Sequence, residues 1–204
     1  MWNIPPLKSA SRGGSMDDPP LFPLFLKLSG RKVLVVGGGA VAASKIGPLR
    51  AAGARVQVVA PDVTDSLAAM RVKIERREYT PSDLRDVWLV VAAATPEVNR
   101  RVAEDSAACQ LFVNAVDDPK NASAYLGGVV RRAGVTFAIS TDGKAPALAG
   151  LIREGLDAVL PEDELDAWMT EAERLRATWK ADKVPMGVRR PALLQALVKL
   201  KRYD

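Results

Sequence analysis

The first two-thirds of the chain predict an α/β fold built on a doubly wound parallel sheet, on three observations. Short apolar runs recur at Lys32–Val36, Arg55–Val59, Trp88–Ala92 and Leu111–Val116. Each has the length of a strand and lacks strict alternation, as a strand covered by helices on both faces does. Helix-compatible stretches separate them, which is the order of a βαβ chain. The first run opens through Gly37-Gly38-Gly39 straight into a helical segment, the strand–turn–helix context in which a glycine-rich turn serves a nucleotide.

Residues Met1–Pro20 mix Pro, Gly, Ser and isolated charges without hydrophobic periodicity, so a flexible lead is expected there, with Met16 a candidate natural start. From Leu21 the composition turns apolar and leads into the strand Lys32–Val36. Ala40–Ala52 reads as a helix stopped at Gly53, where a left-handed cap is cheap. A second strand follows at Arg55–Val59, a short helix near Thr64–Met70 and a third strand at Val72–Glu78. Trp88–Ala92, a helix at Pro96–Ala108 and Leu111–Val116 complete the alternation.

The order then breaks. Ala124–Arg132 and Val135–Ser140 are strand-like and meet around Ala133-Gly134, which reads as a hairpin rather than another βαβ unit. From Ala145 the pattern is helical, interrupted at Pro161 and at Pro185-Met186-Gly187. The expected organisation is a lead (1–20), a nucleotide-binding unit (21–123), projecting strands with a substrate loop (124–145) and a helical region (146–204).

With 204 residues, 48% hydrophobic and 26% charged, the chain can bury a core. No apolar run approaches a membrane span and no signal-peptide pattern opens the sequence, so no membrane partner and a cytoplasmic location are expected. One cysteine, Cys109, allows no internal disulfide. The net charge of +5 suggests an anionic partner. Its cations are scattered, without the aromatic-interleaved stripe that single-stranded nucleic acid uses, so a small acidic molecule is preferred over nucleic acid. There is no histidine, which removes the commonest general base and metal ligand and leaves proton transfer to carboxylates, lysines, tyrosines or hydroxyls. No metal site is expected.

Val33–Ala42 matches G-x-G-x-x-A. Gly37 permits the tight turn, Gly39 lets the backbone approach a pyrophosphate, and Ala42 lets helix and strand pack closely. The helix N-terminus faces the anion. A ribose-binding carboxylate is expected about twenty residues on, at the end of the second strand. That strand ends Val58-Val59-Ala60-Pro61-Asp62, so Asp62 is the candidate, displaced past a proline. No arginine directly follows to hold a 2′-phosphate, which keeps NAD ahead of NADP. Asp62 could equally cap the next helix, and the two roles do not exclude each other.

Together these residues resemble the precorrin-2 dehydrogenase family, the N-terminal module of siroheme synthases and its free-standing relatives. The resemblance rests on Pro23–Leu28, on Val35–Ala42 with Lys45, and on Ala93-Ala94-Thr95 followed by Val98-Asn99-Arg100. It continues through Phe112–Asp117 with Pro119 and Ala138–Leu148 followed by Ile152-Arg153-Glu154. It implies a homodimer with a Rossmann-like domain, a dimerisation region and a helical C-terminal region. The implied reaction is NAD-dependent oxidation of precorrin-2 to sirohydrochlorin, with iron insertion in some members. It places cofactor contacts on Ala40, Val41, Pro61 and Asp62, with Thr95 beside them, and the essential aspartate on Asp117. Two departures stand out: Gly127-Gly128 where the family often has Pro-Ser, and Thr141–Pro146 where it often has Ser-x-Gly-Gly-x-Ser-Pro.

Asp117 follows the fifth strand, on the sheet edge where open α/β folds bind ligands. As a base it requires partial burial that strengthens it, or else it steers; the alternative is a turn residue capping backbone amides. A substrate fringed by carboxylates calls for cations and backbone donors. The candidates are Asn114, Lys120, Arg131, Ser140, Thr141 and Lys144, with Arg132 and Arg153 nearby. Ser140 and Thr141 with the Gly143 turn could hold a carboxylate at the N-terminus of the helix at Pro146, or merely cap that helix. Trp168, Leu175 and Trp179 at helical spacing read as core or dimer contact. Rival functions are a combined dehydrogenase and ferrochelatase, and a non-catalytic NAD-sensing domain.

Overall fold

The computed structural model describes residues 19–200. The expected lead, including Met16, lies outside the described residues save for Pro19 and Pro20. Strands β1 (Lys32–Val36), β2 (Arg55–Val59), β3 (Lys73–Glu75), β4 (Val87–Ala92) and β5 (Phe112–Ala115) form one sheet in the order β3-β2-β1-β4-β5, every pair parallel. The connections carry α1 (Ala40–Ala51), a short α2 (Asp65–Ala68), a 3₁₀ turn at Pro81–Leu84 and α3 (Pro96–Ala108).

Both faces of the sheet are covered, which is why its strands read as continuous apolar runs. Val33, Val35, Val58, Leu89 and Val91 meet Ala42, Ile46 and Leu49 of α1 and Leu67 of α2. Leu34, Val36, Val59, Val90 and Ala92 meet Val102 and Ala103 of α3 with Tyr79 and Leu84. Strand order reverses at β1, so the connections leaving β1 and β4 depart to opposite faces and a crevice opens at their carboxyl ends. α1 stops at Gly53, as expected, with the Gly53 amide donating to the Arg50 carbonyl at 2.8 Å.

Three elements differ from expectation by more than a residue at an end. The third strand is only Lys73–Glu75, not Val72–Glu78, because Glu78 and its neighbours leave the sheet to build a tether. Arg77 there forks onto the Asp83 carboxylate at 2.8 and 2.5 Å and also pairs with Glu75, while Tyr79 turns into the core and donates to Asp105 at 3.1 Å. The second helix is one turn, Asp65–Ala68, with Thr64 at its N-cap position.

The hairpin strands are β6 (Gly128–Arg132) and β7 (Val135–Ile139), so the first begins at Gly128 rather than Ala124. Ala124 is held instead beside β5, its amide donating to the Val113 carbonyl at 2.9 Å. Ala133 and Gly134 both have positive φ, 44° and 78°, as a two-residue hairpin turn requires. β6 and β7 form a separate antiparallel pair. Helices α4 (Pro146–Val159), α5 (Glu162–Ala181) and α6 (Met186–Leu200) follow, with breaks where the prolines predicted them. Leu151 and Val159 of α4 and Met186 of α6 are 65%, 70% and 75% exposed. No described helix is long and apolar enough to cross a membrane.

The Arg77 guanidinium beside Asp83 holds that buried carboxyl below its ordinary range, helped by the Thr80 amide. A carboxyl depressed in the folded state contributes stability that is complete above the unfolded value, about 4, and lost as pH falls through the folded one. Asp83→Asn is therefore expected to cost about 2 kcal/mol near neutrality and to flatten the fall in melting temperature between about pH 5 and 2. Thermal melts of both proteins across that range check it; parallel curves would refute the assignment.

Candidate functional site

The glycine turn is shaped from beneath. Gly37 has φ of 128°, and a Cβ there would stand 2.2 Å from the Ala93 carbonyl oxygen. A Cβ at Gly38 would stand 1.8 Å from the Asp62 carbonyl oxygen. The Thr64 amide and hydroxyl both donate to the Gly38 carbonyl, at 2.9 and 3.3 Å, tying the turn to the loop after β2. Gly39 differs: a Cβ there would meet nothing within 4 Å. It is the N-cap of α1 and supplies no side-chain hydrogen bond, and the first turn carries no acidic residue. Amides at this helix end thus face open space with no carboxylate competing for them, an arrangement that fits a pyrophosphate.

Around this turn the cofactor candidates take distinct places. Ala40 and Val41 open α1, Val41 exposed. Pro61 and Asp62 are exposed beyond β2; Thr64, not Asp62, stands at the N-cap position of α2, and its side chain makes no capping bond. Thr95 caps α3, its hydroxyl accepting from the Val98 amide at 3.4 Å. Asn99, buried, accepts from the Ala94 amide at 2.9 Å and fixes the loop after β4. Gly38, Thr64 and Asn99 shape the site without having been singled out for it in the sequence. The close Gly38 approach depends on a loop twenty-odd residues away in sequence, and no local pattern announces it.

A cleft of about 340 Å³ lies between the end of β5, the hairpin, α4 and α1. Of the proposed substrate and catalytic residues, it brings together Asn114, Asp117, Ser140 and Thr141. Lys120, Arg131 and Lys144 are exposed and do not line it. On β6, Gly128 lines the cleft while Arg131 lies on the exposed face with Val129. The cations that do line it are Lys45 of α1 and Arg153 of α4.

Asn114 is buried and donates to the Ala124 carbonyl at 2.9 Å, so its amide holds the chain that borders the cleft. Asp117 sits two residues beyond β5 with φ of 57°, in the left-handed region that aspartate tolerates. It is exposed, not partly buried as base chemistry on the free protein would require. Its carboxylate makes no hydrogen bond or ion pair among the described residues, so it does not cap the turn. Asp118 has that structural part, accepting from Asn121 at 2.6 Å.

Ser140 and Thr141 accept from the amides of Asp142 at 3.1 Å and Ala145 at 3.2 Å, which folds the loop but leaves both at the cleft. The N-cap of α4, Ala145, supplies no side-chain hydrogen bond. Two glycines close the hairpin against its surroundings: a Cβ at Gly127 would stand 2.0 Å from the Ile139 carbonyl oxygen, and one at Gly128 3.2 Å from that of Ala149.

Comparison with known proteins places this geometry. A family model described as "Putative NAD(P)-binding" matches residues 24–128. The chain belongs to this family. It is 42% identical over 173 residues to siroheme synthase 1 of Aeromonas salmonicida, covering 82% of this chain and 37% of that protein. It is 43% identical over 145 residues to siroheme synthase of Neisseria meningitidis serogroup B, covering 69% and 30%. The chain thus spans about a third of the length of these relatives. Among solved structures it is similar to SirC, a precorrin-2 dehydrogenase, with a TM-score of 0.65 and 26% identity over 86% of this chain and 88% of that one. The parallel sheet, hairpin and C-terminal helices form the same fold.

The glycine geometry separates a folding constraint from a binding one. Gly38→Ala is expected to destabilise the protein by about 1–3 kcal/mol, since backbone must move. Gly39→Ala is expected to cost less than about 1 kcal/mol. Denaturant titrations of the two variants check this; equal losses would show that the open space at Gly39 is misplaced.

Proposed function

We propose that the chain is an NAD-dependent dehydrogenase that oxidises precorrin-2 to sirohydrochlorin in siroheme synthesis. One observation carries the reading: an unpaired carboxylate, Asp117, lies on a cleft whose wall includes α1, the helix that the glycine turn begins. The siroheme synthase relatives and the precorrin-2 dehydrogenase structure support it. The residues around the glycine turn would hold NAD⁺: amides of Gly39, Ala40 and Val41 at the pyrophosphate, Asp62 beyond Pro61 at the adenosine ribose, Thr95 across the crevice. Asp62 and the lack of a following arginine favour NAD over NADP.

Bound NAD⁺ supplies the hydride acceptor. The protein's share is to hold the macrocycle and to manage the proton lost with the hydride. Asp117 either receives that proton or steers the ring carbon that loses it. A macrocycle lying in the cleft would cover this exposed carboxylate and bring the reacting ring carbon against it. Asn114 keeps the bordering chain in place, while Ser140, Thr141 and the uncapped start of α4 offer donors to an acidic side group.

The unpartnered β6–β7 pair and the exposed apolar residues of α4 and α6 support a homodimer joined through these elements. An exposed Cys109 without a disulfide suits the reducing cytoplasm. The organisation that serves this reading is a cofactor unit (21–123), dimerisation strands with the substrate loop (124–145) and a helical region (146–204). Iron insertion is the second reading, favoured by the same open Asp117 carboxylate, which could strip pyrrole protons.

Asp117→Asn keeps shape and removes charge, so precorrin-2 turnover is expected to fall by about two orders of magnitude with NAD⁺ affinity unchanged. Near-normal turnover, followed by absorbance, would overturn the catalytic assignment. Gly39→Val should leave the melting temperature nearly unaltered and weaken NAD⁺ about tenfold or more, measured by calorimetry, because its side chain takes the pyrophosphate's space.

A further inference from the structure

The strongest unassigned feature of the cleft is Lys45. It is half-buried on α1 and lines the cleft, yet it makes no hydrogen bond or ion pair among the described residues. Its stem packs on α1 while its ammonium stays unpaired at the cleft, free to meet an anion.

Of the other cations near the cleft, all but Arg153 are spent or misdirected. Arg132 is committed to Asp157 at 3.0 Å and Glu162 at 3.3 Å. Arg131, Lys120 and Lys144 are exposed away from the lining. Arg153, which does line it, pairs only with its neighbour Glu154 at 3.1 Å, both well exposed, an interaction that costs little to exchange. Two cations from different elements, α1 and α4, thus border one cavity whose remaining charge is the aspartate pair after β5.

We infer that Lys45, with Arg153 facing the same cavity from α4, anchors carboxylate side groups of the substrate and so determines specificity for acid-fringed macrocycles. This rests on the dehydrogenase reading for the substrate's class. Lys45 stands about 9 Å along α1 from the glycine turn, beyond the pyrophosphate amides, so its anion belongs to the substrate and not to the cofactor. Anchoring by a lysine and an arginine on separate elements would fix the ring's rotation over Asp117, the degree of freedom that a flat macrocycle leaves open.

The experiment uses the full chain as wild type, Lys45→Gln, Lys45→Arg and Arg153→Gln, with melting temperatures to verify folding. Precorrin-2 oxidation gives KM and kcat, calorimetry gives NAD⁺ affinity, and fluorescence quenching gives affinity for uroporphyrin III and for coproporphyrin III, its partly decarboxylated counterpart. For Lys45→Gln the expected result is a KM raised about tenfold or more, with kcat and NAD⁺ affinity nearly unchanged. Lys45→Arg should restore most of the KM. Arg153→Gln should raise KM in the same direction, and raising salt should raise the wild-type KM. Wild type should prefer uroporphyrin over coproporphyrin, and Lys45→Gln should erase the preference.

A loss confined to kcat would show Lys45 acting on Asp117 instead, a loss of NAD⁺ affinity would assign it to the cofactor, and an unchanged KM would remove it from the site; each overturns the inference. If wild type does not oxidise precorrin-2, the dehydrogenase reading fails by itself. The porphyrin arm still decides Lys45: a wild-type preference lost in Lys45→Gln sustains it, and no binding or equal binding refutes it.

Discussion

At the carboxyl end of β1 the backbone has to turn inside a space already taken by two carbonyl groups. Ala93, after β4, closes it on one side and Asp62, after β2, on the other. A side chain at Gly37 or Gly38 would force those loops apart, and with them the carboxyl ends of the three central strands. The two glycines therefore serve the sheet as much as any ligand. What they leave over is Gly39, the one glycine of the three with nothing facing it. A tight fit underneath and an open helix end above are two consequences of one packing constraint, because the strand must deliver its chain to α1 without rising into the crevice.

The same sheet fixes where chemistry can happen. Val116 donates to the Ala92 carbonyl at 2.9 Å, which continues the β4–β5 pairing beyond β5 and sets Asp117 at the crevice in a left-handed conformation. Asp118 and Asn121 then close the turn, and Asn114 and Ser123 fasten the next segment along β5. Asn114, Asp118, Asn121 and Ser123 of this corner are all engaged in shape, whereas Asp117 and the exposed Lys120 are not, and of these two Asp117 lines the cleft. A carboxylate left over at the cleft while Asp118 and Asn121 hold the turn is a stronger pointer to function than its position in the sequence.

The fold was legible because burial on both sheet faces writes itself into the sequence as unbroken Val and Leu runs, and the glycine turn carries its own spacing. What misled was local resemblance to a strand. Val72–Glu78 looks strand-like throughout, yet Arg77 forks onto Asp83 and the following Tyr79 reaches Asp105, both outside the sheet. Ala124–Gly127 looks strand-like, yet Ala124 spends its hydrogen bonds on β5. Asp117, Ser140 and Thr141 could be placed at one site from motif order. The cations could not, because nearness in sequence was the only guide to nearness in space. Alternation along β6 turns Arg131 outward, while Lys45, some seventy residues upstream of Asp117, arrives through the packing of α1.

The departure at Gly127-Gly128 has a physical sense in this frame. Gly127 passes the Ile139 carbonyl at a distance that excludes a Cβ, and Gly128 brings β6 against the Ala149 carbonyl and the Cβ of Arg153 in α4. Larger residues would push α4 away from the hairpin and carry Ala149, Gly150 and Arg153 with it, all of which line the cleft. Close approach here sets the width of the cavity and the reach of its α4 cation together. A chain with bulkier residues at these two positions would need a displaced α4, and Arg153 would then stand elsewhere relative to the cleft. The position of Arg153 is thus a consequence of two missing side chains on the neighbouring strand, and it belongs to the same compact solution that leaves Lys45 unopposed on the facing helix.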